Sequence, residues 1–390
     1  MQSVSDAPVN FILIGTPGDR RVTFFQQALI EQKLPPARLV SYLDLIAGTV
    51  SLTDLLTPDT IVRIESPGKS QQVERALLAL GAELPDPDGE RYERISQRAL
   101  AALPVEKGQL LPSRQWYLGY CHLLQEIKRQ LGTTSPMNRP DDIAVMFDKR
   151  VCHALLQQHH LAVPPALAPV HCYDELMAGL RQQGWSRVFI KPAHGSSASG
   201  IIAYRFQGDR QQAVSTIEMA RQGQGYRLYN TRRIRCYTDR AEIATLVDML
   251  CRQRVHVEQW IPKAVHAGHS FDCRIVVIGG EARHAVVRMS KSPFTNLHLL
   301  NGRGDLAAVQ AACGEPRWQE ALWTCEHAAS LFGSLYTGVD LLFSSRYQRH
   351  AIIEMNAFGD LLPGVLHRGQ DTYSAEIEAL LKAASYDLCS

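Results

Sequence analysis

Near the C-terminal end of the chain, two carboxylates and one amide are spaced so that three oxygen donors can meet. Asp340 lies in one apolar run, and Glu354 and Asn356 lie in the next. The polar residues between the runs predict a hairpin turn centred near Tyr347, which sets Asp340 opposite Glu354 and keeps Asn356 on the same face. Such a set suits magnesium or manganese, because two facing carboxylates need a cation to offset their repulsion. The alternative is an amphipathic hairpin with one solvated face.

A strand-like run, residues 188–192, contains Lys191 near its end and precedes a stretch rich in glycine and serine. Glycines let backbone amides approach an anion, hydroxyl groups add donors, and the ammonium supplies charge, as in phosphate binding. The alternative is a flexible surface turn. Upstream, Lys149 follows a predicted helix N-cap, Asp148, and alone would be an ordinary helix lysine. The small residues of the loop that bear on phosphate binding are Gly195, Ser196, Ser197 and Ser199.

Two further segments carry polar residues within apolar strands. Residues 255–262 end at a proline, which cannot extend a ladder, so we expect an edge strand whose free backbone groups could read a purine. A strand that connects two lobes is compatible with that role. The second segment is a hairpin predicted to turn at Gly279 and Gly280, which brings Arg288 opposite Asp272 and Arg274. Arginine forks there suit phosphate or carboxylate oxygens, and a structural ion pair of Asp272 with Arg288 is the competing account.

Composition bounds the class of protein. The chain has 390 residues, 45% hydrophobic and 21% charged, with a net charge of +2, which is ordinary globular composition with no reason to expect nucleic acid or an anionic membrane as partner. The nine cysteines are scattered without a Cys-x-x-Cys pair, which favours reduced cytosol. The first residues lack the basic segment of a signal peptide, so we expect a cytoplasmic protein.

The order of predicted elements indicates an α/β protein. Alternating strands and helices in the first hundred residues predict a small parallel α/β domain, and hairpins dominate the second half. We divide the chain into an N-terminal α/β domain (1–110), a helical linker (111–137), a small lobe (138–257) and a large lobe (258–390).

Taken together, the motifs resemble the ATP-grasp superfamily over roughly residues 138–385. A lysine after the linker, a lysine with a Gly/Ser loop, a Glu-Gln-x-Ile hinge, an Asp-x-Arg hairpin and an Asp…Glu-x-Asn hairpin occur in that order. The pattern is nearest to the glutamate ligases that modify a ribosomal protein and to glutathione synthetases. Their Arg-Ser-Asn-Leu-His segment has a partial counterpart at 294–298, where Phe294 replaces the arginine. The resemblance implies a Rossmann-like pre-ATP-grasp domain followed by a two-lobed ATP-grasp domain.

The resemblance also implies roles for the residues. Lys149 and Lys191 would hold the ATP phosphates, with the loop 195–199 closing over them. Arg274 and Arg288 would face the γ-phosphate and the substrate carboxylate. The adenine edge and the ribose contact would be Glu258, Gln259, Trp260, Ile261 and Asp272, and the ligands of two magnesium ions would be Asp340, Glu354 and Asn356.

Substrate contacts are less defined by the sequence. Arg63 and Ser66 lie in a loop at a strand end of the first domain, where open α/β sheets bind ligands. Asn296 belongs to the partial counterpart segment. Arg232, Arg233 and Arg235 crowd into a basic stretch that is either a clamp for an anionic substrate or a solvated hairpin.

The implied reaction is ATP- and magnesium-dependent amide formation between a carboxylate and an amine, with ADP and phosphate released. The substrates would be small molecules or peptides, and a homodimer is compatible with the sequence. The alternatives are an ATP-grasp kinase that phosphorylates a hydroxyl group and a non-catalytic protein that binds ATP.

Overall fold

The computed structural model describes residues 10–68, 70–104, 106–195, 198–223 and 225–387. Its strands form three sheets. The strands are β1 (Asn10–Gly15), β2 (Arg38–Ser41), β3 (Thr60–Ile64), β4 (Arg187–Pro192), β5 (Ile202–Gln207), β6 (Arg210–Gln222), β7 (Gly225–Tyr237), β8 (Val255–Gln259), β9 (Val265–His266), β10 (His269–Ile278), β11 (Glu281–Ser290), β12 (Gly302–Gly304), β13 (Tyr336–Phe343) and β14 (His350–Asn356). The helices are α1 (Arg20–Glu31), α2 (Tyr42–Ala47), α3 (Gln71–Gly81), α4 (Gln97–Ala102), α5 (Ser113–Leu131), α6 (Pro140–Phe147), α7 (Lys149–Gln158), α8 (Tyr173–Gln183), α9 (Arg240–Cys251), α10 (Leu306–Cys313), α11 (Glu315–Ser330) and α12 (Thr372–Asp387).

The N-terminal sheet is parallel and has the order β2-β1-β3. β1 is a run of apolar residues, four of which are at most 3% exposed, because helices cover a parallel sheet on its faces. Asp19 caps α1 by accepting a hydrogen bond from the backbone N–H of Arg21 at 2.8 Å. The predicted parallel strands and alternating helices are present, and α5 lies within the segment predicted as a helical linker, whereas the division into domains stays a prediction.

The second sheet is antiparallel and has five strands in the order β7-β6-β5-β4-β8. The β6–β7 hairpin is longer than its neighbours, so that its outer half, beyond Ser215, extends past β5. The sequence predicted β4 but did not predict the length of this hairpin. The proposed lobe boundary at 257/258 falls inside β8, which stays paired with β4 as far as Gln259.

The third sheet has six strands, with β10 and β13 at its centre in the order β12-β11-β10-β13-β14 and β9 added beside β10. Both predicted hairpins are present, and β10 and β11 turn at the glycine pair with φ of 58° and 82°. Such φ values favour glycine, which explains the predicted turn. The helices α10 and α11 were not predicted.

The largest apolar cluster joins the first and third sheets through α5. It includes Ile14, Tyr120 and Leu341, and it fixes the N-terminal domain against the large sheet. A separate cluster fills the small lobe beneath the five-stranded sheet. The eight cysteines in the described residues are free thiols, and no helix there is long and apolar enough to cross a bilayer.

Candidate active site

The carboxylate pair predicted from the hairpin is formed in the structure. Asp340 on β13 is the direct cross-strand partner of Glu354 on β14, and Asn356 lies opposite Gly338. The ladder shifts register just after Asp340, so Ile353 is an extra residue on β14. The side-chain amide of Asn356 donates to the Gly338 carbonyl at 3.4 Å. The predicted register is therefore confirmed as far as the carboxylate pair, whereas metal binding stays a prediction.

Asp340 is buried and lies between two arginine side chains. Arg274 donates to it from Nε, and Nη2 of Arg288 lies 3.0 Å from its Oδ2. Burial opposes ionisation of Asp340, but Arg274 and Arg288 outweigh that effect and lower its pKa. Arg274 also contacts Asp360 at 3.0 Å, a carboxylate outside the predicted motifs. The carboxylate predicted to hold a metal is thus charge-balanced by the two arginines predicted to face the phosphate.

Asp272, predicted as the ribose contact, is the centre of a second buried cluster. Its cross-strand partner is Arg288, whose Nε donates to Oδ1 at 2.7 Å. Lys263 Nζ donates to Oδ2 at 2.9 Å, and the Thr295 hydroxyl donates to the same oxygen. Burial would raise the pKa of Asp272, but Arg288 and Lys263 lower it well below the usual range. The predicted pairing of Asp272 with Arg288 is confirmed, so this hairpin contains the structural ion pair that was the competing account.

The two predicted phosphate-binding lysines are both paired with acids. Lys149 is the first residue of α7, and its Nζ lies 2.8 Å from Glu354 Oε1 and donates to the Gly195 carbonyl at 2.6 Å. Lys191 near the end of β4 pairs with Glu258. Burial would raise the pKa of Glu258, but Lys191 and His256 lower it to about 2. Ser199 is half-buried in the loop after β4, and Ser196 and Ser197 lie outside the described residues.

The predicted adenine edge is only partly free. The Gln259 N–H donates to the Pro165 carbonyl at 2.8 Å, and the Trp260 N–H donates to the Arg187 carbonyl at 3.2 Å. The expectation of free backbone donors is therefore wrong at these two positions. Residues 165–167 cover the outer edge of β8 at Gln259, and β4 provides the acceptor for Trp260. The Trp260 ring packs against Phe189, with centroids 5.2 Å apart.

One open cavity, whose empty volume of about 670 Å³ includes space open to solvent, is lined by nine of the predicted residues. Arg274, Asn356, Trp260, Gly195 and Ser199 do not line it. Lys149 instead lines a smaller adjoining cavity, which shares Glu258 and Glu354 with the first. The predicted residues that line the large cavity are Lys191, Glu258, Gln259, Ile261, Asp272, Arg288, Asn296, Asp340 and Glu354.

The prediction that Arg63 contacts a substrate is wrong. Its side chain is 0% exposed, donates to Glu65 at 2.8 Å and to Glu376 at 2.6 Å, and lies against three aromatic rings. A guanidinium with these partners joins the N-terminal domain to α12 and offers no surface to a ligand. Ser66, half-buried after the same strand, accepts a hydrogen bond from the Gly68 N–H at 3.3 Å and stays a prediction.

The basic stretch forms β7 at the edge of the five-stranded sheet. Arg232 and Arg233 are exposed at a register shift of β7, and Arg235 pairs with Glu218 at 2.7 Å. None of the three arginines lines the large cavity. The three arginines thus lie on a strand that faces solvent, and their role in substrate binding stays a prediction.

Two residues of the site were missed from the sequence. Lys263 lines the cavity and bridges Asp272 and Thr295. Its signal was a single lysine directly after Pro262, where the hinge strand ends. Thr295 lies inside the segment 294–298, from which the sequence indicated only Asn296 as a site residue. In the structure, Asn296 Oδ1 caps a short 3₁₀ turn by accepting from the His298 N–H at 2.9 Å.

No protein-family model and no curated protein sequence matches this chain. Solved structures do match it. The ATP-grasp ligase PsnB complexed with minimal precursor is 15% identical with a TM-score of 0.53, covering 96% of this chain and 99% of PsnB. D-cycloserine synthetase DcsG is 14% identical with a TM-score of 0.53, and the match covers 96% and 99% of the two chains. The macrocyclase MdnC bound with precursor peptide MdnA from Microcystis aeruginosa MRC is 11% identical with a TM-score of 0.51 and the same coverage.

The likeness extends over nearly the full length of each pair of chains, so it describes the whole architecture and not a shared lobe. At identities of 11–15% it establishes the fold and leaves the activity to be argued from the site. The chain has the ATP-grasp fold. The fold class that the order of motifs implied is confirmed.

Proposed function

We propose that the protein is an ATP- and magnesium-dependent carboxylate–amine ligase that forms an amide bond and releases ADP and phosphate. The observation that carries the proposal is one cavity that is lined by both cationic and anionic side chains. Lys191, Lys263 and Arg288 line it together with Asp272, Asp340 and Glu354. An apolar part of the same cavity, including Phe189 and Leu342, suits the flat base of a nucleotide.

In the proposed reaction the substrate carboxylate attacks the γ-phosphorus of ATP, the bond to the bridging oxygen breaks, and ADP leaves. The amine then attacks the carbonyl carbon of the acylphosphate. The carbon–oxygen bond to phosphate breaks, inorganic phosphate departs, and the amine loses a proton. The protein contributes position and positive charge, since phosphoryl transfer needs little covalent help.

The two predicted catalytic arginines receive different roles. Arg288 lines the cavity, so it is the guanidinium that we assign to the transferring phosphate. Arg274 does not line it and instead fixes Asp340 and Asp360 from behind. Arg274 is therefore a positioning residue in this proposal. Lys149 and Lys191 would exchange their present partners, Glu354 and Glu258, for phosphate oxygens.

The predicted magnesium ligands fit a hard cation. Asp340 and Glu354 both line the cavity and present only oxygen atoms, and Asn356 uses its amide nitrogen on Gly338, which leaves its oxygen for a ligand. The described residues include no group of three or more His, Cys, Asp or Glu side chains placed to share a metal, so the third donor here is an amide. Magnesium bound by these residues would neutralise charge on the phosphate oxygens.

The substrates that we propose are a carboxylate and an amine of a small molecule or a peptide. Two of the similar structures, PsnB and MdnC, are complexes with a precursor or precursor peptide. Asn296 lies on the cavity wall and is our candidate for a substrate contact, because amides bind both carboxylates and peptide groups.

The test is to incubate the protein with magnesium, ATP and panels of amino acids, peptides and hydroxy acids. Nucleotides, phosphate and products are then analysed by chromatography and mass spectrometry. We expect ADP and free phosphate in step with an amide product. AMP with pyrophosphate would exclude the acylphosphate route, and a stable phosphorylated product formed without amine would show a kinase. ATP binding without turnover on any panel would leave a non-catalytic ATP-binding protein.

A further inference from the structure

Arg254 stands in a backbone conformation that an arginine rarely adopts. Its φ is +62°, in the left-handed region where glycine is favoured, at the turn between α9 and β8. The side chain is 7% exposed and is held by several partners. Its Nε makes no hydrogen bond, but Nη1 and Nη2 are both paired with carboxylates. An unfavourable backbone conformation combined with a buried, ion-paired guanidinium indicates that the guanidinium is needed at this place.

The backbone of Arg254 begins a relay of two hydrogen bonds. Its carbonyl accepts from the Ala193 N–H at 2.8 Å, and the Ala193 carbonyl accepts from the Lys149 N–H at 3.0 Å. Ala193 follows β4, which carries Lys191, and Lys149 begins α7. The relay therefore connects the segments of both proposed phosphate-binding lysines.

The side chain of Arg254 holds the same two segments a second time. Its Nη1 donates to Asp148 Oδ2 at 2.5 Å, and Asp148 caps α7 by accepting from the N–H groups of Arg150 and Val151. Nη1 also lies 3.3 Å from Nε2 of His194, the residue after Ala193. The predicted cap at Asp148 is confirmed, and it is fixed by a residue 106 positions away.

His194 is a neutral connector in this cluster. Burial, together with Arg114 and Arg254, lowers its pKa to about 3 against the opposing effect of Asp148. Both guanidinium groups are donors only, so Nε2 accepts and Nδ1 carries the hydrogen, which points to the Phe147 carbonyl at 3.3 Å. The ring is stacked on Tyr117, with centroids 3.9 Å apart.

A segment from the N-terminal half covers this cluster. We call residues 86–93 the strap. Asp88 lies 2.6 Å from Arg254 and 2.9 Å from Arg114, and Arg114 forms a two-point pair with Asp86 at 3.1 and 2.5 Å. The Glu93 N–H donates to the Arg252 carbonyl at 2.9 Å. The strap thus connects the N-terminal part of the chain to the residues that hold the phosphate-binding segments.

We propose that Arg254 is a positioning residue for phosphoryl transfer, which sets Lys149 and the loop after Lys191 in one arrangement and is itself held by the strap. The catalytic part of this inference rests on the proposed function. The positioning of the two segments by Arg254 does not, because the contacts are present in the ligand-free protein. The guanidinium touches no cavity-lining residue of the reaction and acts through Asp148 and His194.

The decisive variant is Arg254→Gly, because glycine accepts the backbone conformation and keeps the carbonyl that Ala193 uses. The matched control is His160→Gly, which relieves the same conformation (φ 57°) at an exposed turn just after α7. We expect hydrogen exchange at the amides of Ala193 and Lys149 to become at least about tenfold faster in R254G. We expect kcat to fall about 10- to 100-fold while KM for ATP stays within about threefold. H160G should match the wild type in each measurement.

Two further variants keep the test decisive if R254G folds poorly. Arg254→Lys retains the charge without the fork and should recover part of kcat. Asp88→Asn removes the half-exposed carboxylate that pairs with Arg254 and Arg114, leaves the other strap contacts in place, and should lower kcat by less than R254G does. Wild-type exchange and kcat in all three variants would show that Arg254 is only a turn residue. If the wild type itself does not turn over ATP, the proposed function falls, whereas the exchange measurements still test the positioning.

Discussion

Asp340 lies directly across the β13–β14 ladder from Glu354, yet the two carboxylates have different environments. Asp340 is 4% exposed and paired with two arginines, whereas the side chain of Glu354 is 29% exposed and paired with one lysine. Removal of the negative charge therefore affects the stability of the protein differently at the two positions. Glu354 is the better position for a test of metal binding, because removal of its charge disturbs the fold less than removal of the Asp340 charge.

We predict that Glu354→Gln folds normally and loses at least about 100-fold in ATP turnover, since a metal ligand acts directly on the transferring phosphate. Its partly exposed pair with Lys149 should contribute no more than about 1 kcal/mol to stability. The measurements are the initial rate of ADP release and the thermal midpoint. Glu126→Gln, which removes a charge from a surface pair with Arg129, is the control and should leave both unchanged. Wild-type turnover in E354Q would remove this hairpin from the metal site.

Asp340→Asn should behave differently from E354Q. It leaves Arg274 and Arg288 facing a neutral amide in a buried site, and breaking a buried pair in this way costs about 3–5 kcal/mol. We therefore predict a clearly lower thermal midpoint as well as lost turnover. Equal midpoints for D340N and the wild type would contradict the charge balance that we assign to this cluster.

Arg288 can be tested with a substitution that keeps its charge. Alanine would remove one charged donor from each of the two buried carboxylates, Asp272 and Asp340, so a loss of activity could reflect unfolding. Arg288→Lys preserves one positive charge but cannot bridge two carboxylates with a planar fork. We predict a fall in kcat of about 10- to 100-fold with KM for ATP nearly unchanged. Arg303→Lys, on the neighbouring strand directly opposite Arg288 and exposed, is the control. A rise in KM for ATP with kcat unchanged would show that Arg288 stabilises bound ATP and the transition state equally. Arg288 would then have no specific role in phosphoryl transfer.

The parts of the site that the sequence predicted depend on local geometry. The pairs Asp340–Glu354 and Asp272–Arg288 each lie within one hairpin, so the turn position and strand alternation determine their register. The cap at Asp148 follows from the residues beside it. The helices α10 and α11, in contrast, were not predicted from their sequences.

Contacts between distant segments could not be predicted in the same way. Arg63 has the sequence of a surface loop at a strand end, but rings from Phe25, Tyr336 and Tyr373 enclose it. Those rings come from α1, β13 and α12, and no local pattern predicts that they meet. The partner of Asp148, Arg254, is likewise brought close only by the packing of the small lobe.

The exposed arginines of β7 allow a test of the anionic-substrate hypothesis. We predict that the double variant Arg232→Ala/Arg233→Ala raises KM for an acidic substrate by about two- to fivefold, the effect expected of exposed charges. KM for ATP should not change, and the effect should weaken as salt rises, because salt screens exposed charges. Arg235→Ala is the control, since Arg235 is already paired with Glu218. A double variant equal to the wild type at low salt would mean that β7 is only a solvated strand.

The last prediction concerns Glu376, the carboxylate that pairs with Arg63 across the contact between α12 and the N-terminal sheet. Burial raises its pKa to about 7 from the ordinary 4.5, although Arg63 works in the opposite direction. The folded protein therefore keeps a proton on Glu376 over a pH range in which the unfolded chain has lost it. For a carboxyl group shifted upward, the stabilising contribution is present at low pH and is lost as pH rises from about 4.5 to 7.

Glu376→Gln removes this titration while it keeps the size of the side chain. We predict that the stability of the wild type relative to E376Q falls by about 3 kcal/mol between pH 4.5 and 8, most of it below pH 7. The measurement is urea unfolding of both proteins, followed by tryptophan fluorescence at several pH values. Glu378→Gln is the control on the same helix, because Glu378 is partly exposed and pairs with Lys382. Parallel curves for the wild type and E376Q would show that Glu376 is ionised throughout, with Arg63 offsetting the whole cost of its burial.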